Sequence, residues 1–360
     1  MGGAMRRLGL HLCARLGLSI GFVVVIMFGL VALIELIGRL SGTQGPSLDS
    51  LGWASVNSAV AAAYLTLETL PVYVLVGAIL ALIEMQRRHE LVVMEAAGAS
   101  VWRLLRLPVA LTLLAGIGVS LVLDPLVLAA RHWVETDFSA ETPAQSGAHP
   151  GWLSHRTSTG RYFIHAGNIV ADIPALTDVS VYAFDADGLP EAQFEAAKAR
   201  LVGDRWVLLD GTRHDIGEPP AGFAEFAVAS EASAGAVQLA LGSAATMNYF
   251  ELSGLLGAPG LEETARSVAQ MRLLRLSALP LVLVGSLLIA FAFTALYRRE
   301  GTSGATILYA ILLGFVVFVV TRLVEQAGSA GILNPTIAAW GPAIVATVIG
   351  MTALLYLEDG

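Results

Sequence analysis

Ionisable side chains set in long apolar runs are the residues of this sequence best placed to do chemistry. A charge in hydrocarbon is costly unless it meets a partner, water or a ligand. Glu35 and Arg39 are four residues apart at the end of one apolar run and can pair on one helix face. Glu68 opens the next run, Asp124 closes a third, and Arg322 with Glu325 closes a fifth. Arg39 and Arg322, two cations at one depth on different spans, could together receive an anionic headgroup. The same positions also suit snorkelling at the membrane boundary.

A second constellation is Arg87-Arg88-His89-Glu90-Leu91-Val92-Val93-Met94-Glu95-Ala96-Ala97-Gly98, lying between two apolar runs. Gly98 is a natural left-handed cap, and Ser100 can cap the helix that follows. The spacing predicts a helix over about 89–98, shorter than the roughly 12 residues at which an isolated helix becomes even marginal in water. Leu91, Val92 and Met94 must therefore pack on something. One solution is the lipid headgroups, with Arg87 and Arg88 as anchors. The other is a partner protein, whose basic residue Glu90 would meet near the positive end of the helix.

Other chemistry finds little support. There is no His-Glu-x-x-His and no Gly-x-Ser-x-Gly, and the only cysteine, Cys13, cannot form an internal disulfide. A Walker-type ATP site needs a lysine after a glycine-rich loop, and the one lysine, Lys198, sits in Ala196-Ala197-Lys198-Ala199. If ATP drives this protein, another subunit binds it. His149, His155, His165 and His214 are scattered over predicted strands and loops, as surface or satisfied histidines would be. The sequence therefore predicts no catalytic set, no metal and no cofactor. A formal net charge of -8 without a polybasic run excludes nucleic acid as a partner.

The elements that position these residues are dictated by composition. The 360 residues are 56% hydrophobic and 14% charged, with mean hydropathy +0.70, so lipid is the solvent for much of the chain. A hydrocarbon core about 30 Å thick takes roughly 20 helical residues. Windows of that kind fall at about 16–38, 60–83, 107–129, 276–297, 305–324 and 336–357, giving six predicted spans. Pro71, Pro280 and Pro342 are expected to kink three of them. Arg6, Arg7 and Arg15 precede the first span, Arg87, Arg88, Arg103 and Arg106 separate the second from the third, and Arg298 and Arg299 separate the fourth from the fifth. The positive-inside bias makes all three regions cytoplasmic. The first apolar run is longer than a signal-peptide core and Glu35 to Arg39 offers no small-residue cleavage site, so a retained span is expected.

Between about 131 and 270 the pattern changes to short alternating runs split by turn residues, among them Asp178 to Phe184, Arg205 to Leu209 and Phe223 to Val228. Such spacing reads as an antiparallel sandwich or jelly roll on the non-cytoplasmic face. The expected fold is an α-helical bundle of six transmembrane helices with an inserted periplasmic antiparallel β jelly-roll domain. Its parts would be residues 1–130 with the first three spans, 131–270 with the β domain and an amphipathic connector over 258–275, and 271–360 with the last three spans.

This order of parts resembles the LptF/LptG (YjgP/YjgQ) family of lipopolysaccharide export permeases, with LptG the nearer branch. The segment Glu90 to Gly98 is similar to the family's coupling-helix pattern of Glu, Leu, apolar residues and a small-small-Gly close. Leu70-Pro71, Arg205 to Gly211, Gly331 to Pro335 and Ala338 to Pro342 support it. The resemblance implies a permease heterodimer with an LptF-like partner, seated on an LptB-like ATPase dimer and joined by LptC-like and LptA-like jelly-roll proteins in the Gram-negative inner membrane. In that setting Glu90 would meet an arginine in the ATPase groove, and Leu91, Val92, Val93, Met94, Glu95, Ala96 and Ala97 would fill that groove. Arg39 and Arg322 would meet the lipid headgroup, and Phe22, Phe28, Leu33, Phe315, Phe318 and Leu323 would line an outward cavity. Family members often carry further cations where the first span leaves the membrane, and here Arg39 stands beside Glu35 alone. Two other classes compete: a periplasmic binding or scaffold protein anchored by six helices, and a permease of another lipid or lipoprotein system.

Overall fold

The computed structural model describes residues 2–41, 48–90, 101–139, 151–157, 160–170, 175–185, 189–202, 205–215, 219–229, 247–256, 263–296 and 304–359. Residues 91–98 of the expected coupling helix lie outside the described residues. In chain order the helices are α1 (Gly2–Ser41), α2 (Leu48–Arg87), α3 (Val101–Gly118), a π-helical turn (Val119–Leu123) and α4 (Asp124–Ser139). Six strands follow: β1 (Gly151–Thr157), β2 (Gly160–Val170), β3 (Ala175–Phe184), β4 (Pro190–Val202), β5 (Arg205–Asp215) and β6 (Ala221–Ala229). The chain returns to helix in α5 (Tyr249–Leu255), α6 (Glu263–Leu296), α7 (Gly304–Ser329) and α8 (Pro335–Asp359). Contacts divide it into two compact units, Met1–Phe138 with Leu274–Gly360, and Ser139–Leu273.

In lipid every main-chain polar group must be satisfied within the protein, which leaves the helix as the natural form of a long apolar run. Among the described residues six helices are long and apolar enough to cross a membrane: Gly9–Ser41, Leu51–Arg87, Trp102–Val134, Arg266–Thr294, Ile311–Ser329 and Pro335–Tyr356. The chain is thus a multi-pass membrane protein of six spans. The amphipathic segment expected over 258–275 runs without a break into the fourth span from Glu263 on, and the apolar helix begins before the expected residue 276, so Arg272 and Arg275 lie on the same helix as the span. Hydropathy missed this because the first turns of α6 are amphipathic.

The spans pack at small residues. A Cβ placed on Gly77 would lie 2.7 Å from the Cα of Ile20, so only glycine lets the first and second spans approach this closely. Ser19 Oγ donates a 2.8 Å hydrogen bond to the Gly77 carbonyl at the same crossing. Below it Leu12, Leu16, Leu75, Ile79 and Leu82 form a buried cluster with Leu105 of the third span and Val284, Leu287 and Phe291 of the fourth.

The second unit holds the inserted antiparallel β domain. Its strands form one sheet in the order β1-β2-β3-β4-β5-β6, a meander, without the strand exchange of a two-sheet jelly roll among the described residues. One face carries Ile164, Val179, Val181, Phe194, Trp206, Leu208 and Val228 as a buried core. A crease crosses this sheet. Apart from a register shift between Ala183 and Phe184 where β3 meets β4, each pair of strands keeps its register, yet the pairs skip Asp178, Ala197 and Asp210, which stand in one line on β3, β4 and β5. Asp178 and Asp210 have φ of 54° and 51°, the left-handed region. Burial switches parity at the line: on β4, Ala196 and Ala199 are buried while Ala197 and Lys198 between them are exposed. A strand of period 2 can keep its apolar side inward past a bend only by such an irregularity. In the same unit Asn248 caps α5 through its side chain and Glu251 returns the bond, while Leu252 packs on Ala269 of α6.

Candidate functional site: an ion cluster within the spans

From sequence Glu68 is an ionisable residue at the edge of the second span with no partner assigned. The fold places it at the centre of a cluster drawn from three spans. Tyr64, one turn earlier on the second span, donates a 3.0 Å hydrogen bond from its hydroxyl to Glu68 Oε1. Arg275 of the fourth span brings both Nη1 and Nη2 to within 3.1 Å of the same oxygen. Arg322 of the fifth span brings Nη2 to 3.0 Å from Glu68 Oε2 and 3.3 Å from the Glu68 carbonyl. Its Nη1 reaches Glu325 Oε2 at 3.3 Å, and Glu325 lies 3.9 Å from Arg275. Phe318, a turn before Arg322, offers its ring face at 5.4 Å. Arg131 of α4 stands over the Tyr64 ring, also at 5.4 Å.

The four groups that pair directly are the carboxylates of Glu68 and Glu325 and the guanidiniums of Arg275 and Arg322, and Asp124 borders the same space. Side-chain exposures are 19% for Glu68, 17% for Glu325, 24% for Arg275 and 26% for Arg322, which sets these pairs apart from weak surface ion pairs. Removing one partner of a buried pair costs about 3–5 kcal/mol, because the charge left behind loses its compensation.

Helix irregularities aim these groups. Pro280 has no amide hydrogen, so the carbonyl of Leu276, one turn earlier, loses its helical donor. Ser120 Oγ supplies that donor from the third span at 2.7 Å. Ser120 lies in the π-helical turn, which rotates the third span before Asp124. Arg275 adjoins the carbonyl repaired in this way. Pro71 lies within the second span, three residues beyond Glu68, and likewise lacks an amide hydrogen for the helix.

Together these side chains line one end of a cavity of about 80 Å³ whose other walls include Leu67, Val72, Leu279, Val282 and Phe318. About 10–15 Å³ takes one water, so the space admits several waters. It is far too small for a lipid with several acyl chains. Among the described residues no group of three or more His, Cys, Asp or Glu is placed to hold a metal ion.

The other sequence-derived positions are dispersed. Arg39 pairs with Glu35 at 3.8 Å, and its Nε is buried without a hydrogen-bond partner among the described residues. Arg322 does not wait as a second free cation beside it, because Glu68 and Glu325 already hold its guanidinium. Of the six residues expected to line an outward cavity, Phe318 also borders this small space. Phe22, Leu33, Phe315 and Leu323 are exposed on the chain's outer surface, and Phe28 is half-buried. Glu90 meets two residues that the sequence reading did not connect with it, His11 Nε2 at 3.2 Å and Arg15 Nη2 at 3.3 Å, both on α1. His89 makes this possible with φ 58°, reversing the chain after the second span.

Residues 12–356 match the family described as Lipopolysaccharide export system permease LptF/LptG. No curated protein matches the chain at a significant level.

Proposed function

The chain belongs to the LptF/LptG family of lipopolysaccharide export permeases, a transporter component rather than an enzyme, and on that premise we propose that it is the permease subunit of an ABC transporter that extracts lipopolysaccharide from the inner membrane. The observation that carries this reading is the extent of the family match, which takes in all six spans together with the inserted β domain.

The positive-inside bias supports a cytoplasmic position for Glu90 and the segment to Gly98 and an opposite, periplasmic side for the β domain, and the family supports the inner membrane of a Gram-negative cell. An LptB-like ATPase dimer binds that segment, with Glu90 facing one of its arginines. An LptF-like second permease completes the path. Exposing an acyl chain to water costs about 0.8 kcal/mol per CH₂, so a lipid with several chains has to leave along apolar surface. The exposed Phe22, Leu33, Phe315 and Leu323 supply such a surface toward the partner permease. Arg39, with an unsatisfied Nε, takes a headgroup phosphate. Arg322 contributes less, because a phosphate there competes with two carboxylates. LptC-like and LptA-like proteins then continue the apolar face of the β domain toward the outer membrane.

The test is to tag this chain, purify it with its untagged neighbours in mild detergent, and reconstitute the assembly in vesicles containing lipopolysaccharide. ATP-dependent transfer of lipopolysaccharide to a soluble jelly-roll acceptor is expected. An assembly without a nucleotide-hydrolysing subunit, or one that hydrolyses ATP with no transfer, refutes the reading.

A further inference from the structure

We propose that Glu68 is a positioning residue through which the second span carries the fifth, so that the two move as one body with the fourth during transport. The inference deepens the transporter reading above and rests on it.

Much of the fifth span faces away from the rest of the chain. Only 11% of its apolar window is buried within the chain, against 61% for the fourth span. Ile311, Leu312, Phe315, Val316 and Val320 all face outward. Besides its contact with Val72 and Val76 at Gly314, this helix is tied by charge: Arg322 reaches Glu68 at 3.0 Å, and Glu325 makes a longer ion pair with Arg275 at 3.9 Å. Glu68 accepts from both arginines at once, so a single carboxylate joins three spans.

The second span has a further property. It ends at Arg87, immediately before the turn that presents Glu90. A displacement imposed at Glu90 enters this helix first, and Glu68 is the point on it where the fifth helix is gripped by charge. Glu68, Arg275, Arg322 and Glu325 already pair with one another, which favours a rigid joint over an exchangeable ligand site. The cavity beside it, sized for a few waters, agrees with that assignment.

The experiment uses the whole reconstituted complex and compares ATP hydrolysis with lipopolysaccharide transfer. Glu68→Gln keeps the shape and removes the charge. We expect assembly and ATP hydrolysis to stay within about twofold while transfer falls at least tenfold. A covalent tie then replaces the ionic one: Val72→Cys with Gly314→Cys in a Cys13→Ser background. A Cβ at position 314 would lie 3.4 Å from Val72 Cγ1, within reach of a disulfide. Oxidising this pair should restore transfer in the Glu68→Gln protein, and reduction should abolish it again. With Glu68 present, the oxidised tie should leave transfer unchanged.

Three outcomes overturn the inference. Glu68→Gln could transfer lipid normally, it could lose assembly and ATP hydrolysis in step with transfer, or the oxidised tie could block transfer in the protein that retains Glu68. Failure of the unsubstituted complex to hydrolyse ATP or move lipid would instead refute the transporter reading itself.

Discussion

Ser120 Oγ donates a 2.7 Å hydrogen bond to the main-chain carbonyl of Leu276, the acceptor that Pro280 deprives of its own helical donor. Two spans far apart in sequence thus repair one defect between them. Ser120→Ala leaves that carbonyl buried and unpaired, which costs about 1–3 kcal/mol. Pro280→Ala restores an amide hydrogen, so the serine substitution should cost little in that background. Denaturant titration of the four proteins in detergent gives the coupling energy. An equal cost of Ser120→Ala in both backgrounds would show that the hydroxyl does not serve this carbonyl.

Gly116 approaches the same kink. A Cβ there would lie 2.5 Å from the Cα of Pro280, whereas at Gly118 it would meet nothing within 4 Å. Gly116→Ala must push two backbones apart, and we expect a loss of about 1–3 kcal/mol. Gly118→Ala, on the same helix, should be neutral or mildly stabilising through helix propensity. Melting temperatures of the two variants in one detergent make the comparison, and similar values would mean that the third and fourth spans are not in such close contact.

Much of the architecture was legible because lipid is an unforgiving solvent. Six apolar windows and one alternating region define six helices and an inserted sheet without reference to tertiary contacts. What escaped was long-range pairing. Glu68 and Arg275 are 207 residues apart, and no local period announces that they meet, although Tyr64 one turn before Glu68 was a readable hint of a hydrogen-bonded carboxylate. Arg275 escaped for a second reason: the amphipathic start of α6 looked like a connector outside the membrane. Arg322 was expected to be an available cation, yet carboxylates on two different helices hold it. The sheet's crease was hidden too, because aspartate in a strand reads as a turn signal, and only the backbone shows that the strand continues through Asp178 and Asp210.

Glu90 has two suitors. In the chain alone it meets Arg15 and His11 on α1; in the transporter reading it meets an arginine of the ATPase. Arg15 and His11 are 36% and 52% exposed, so this internal contact is worth at most about 1 kcal/mol. Glu90→Gln should therefore leave folding intact and weaken retention of the ATPase about tenfold. Arg15→Gln should reduce retention less than threefold. Co-purification under increasing salt measures both. If the two variants lose the ATPase equally, Glu90 acts by anchoring the segment to the first span rather than by touching the motor.

Arg39 makes only a loose ion pair with Glu35 at the end of the first span, 3.8 Å. Arg39→Glu sets like charges on one helix face and repels a phosphate. Crosslinking of lipopolysaccharide to a photoreactive residue at Phe22 should fall at least fivefold, while ATP hydrolysis without lipid stays unchanged. Unchanged crosslinking would assign Arg39 to simple snorkelling at the interface.

The crease in the β domain makes a prediction of opposite sign at a single position. Asp210 adopts φ 51° inside a strand, a conformation that costs an ordinary L-residue about 1–2 kcal/mol and costs glycine essentially nothing. Aspartate tolerates it better than a β-branched residue can. Asp210→Gly should therefore hold or raise the stability of the sheet, although glycine normally weakens a strand. Asp210→Val, the better strand former elsewhere, should lower it by at least about 1 kcal/mol, since its branched side chain clashes in this region. Hydrogen exchange of β4 and β5 amides in the full-length protein reads the difference. Should valine protect these amides better than glycine, the strand passes Asp210 in ordinary extended form and the parity switch at Ala197 needs another cause.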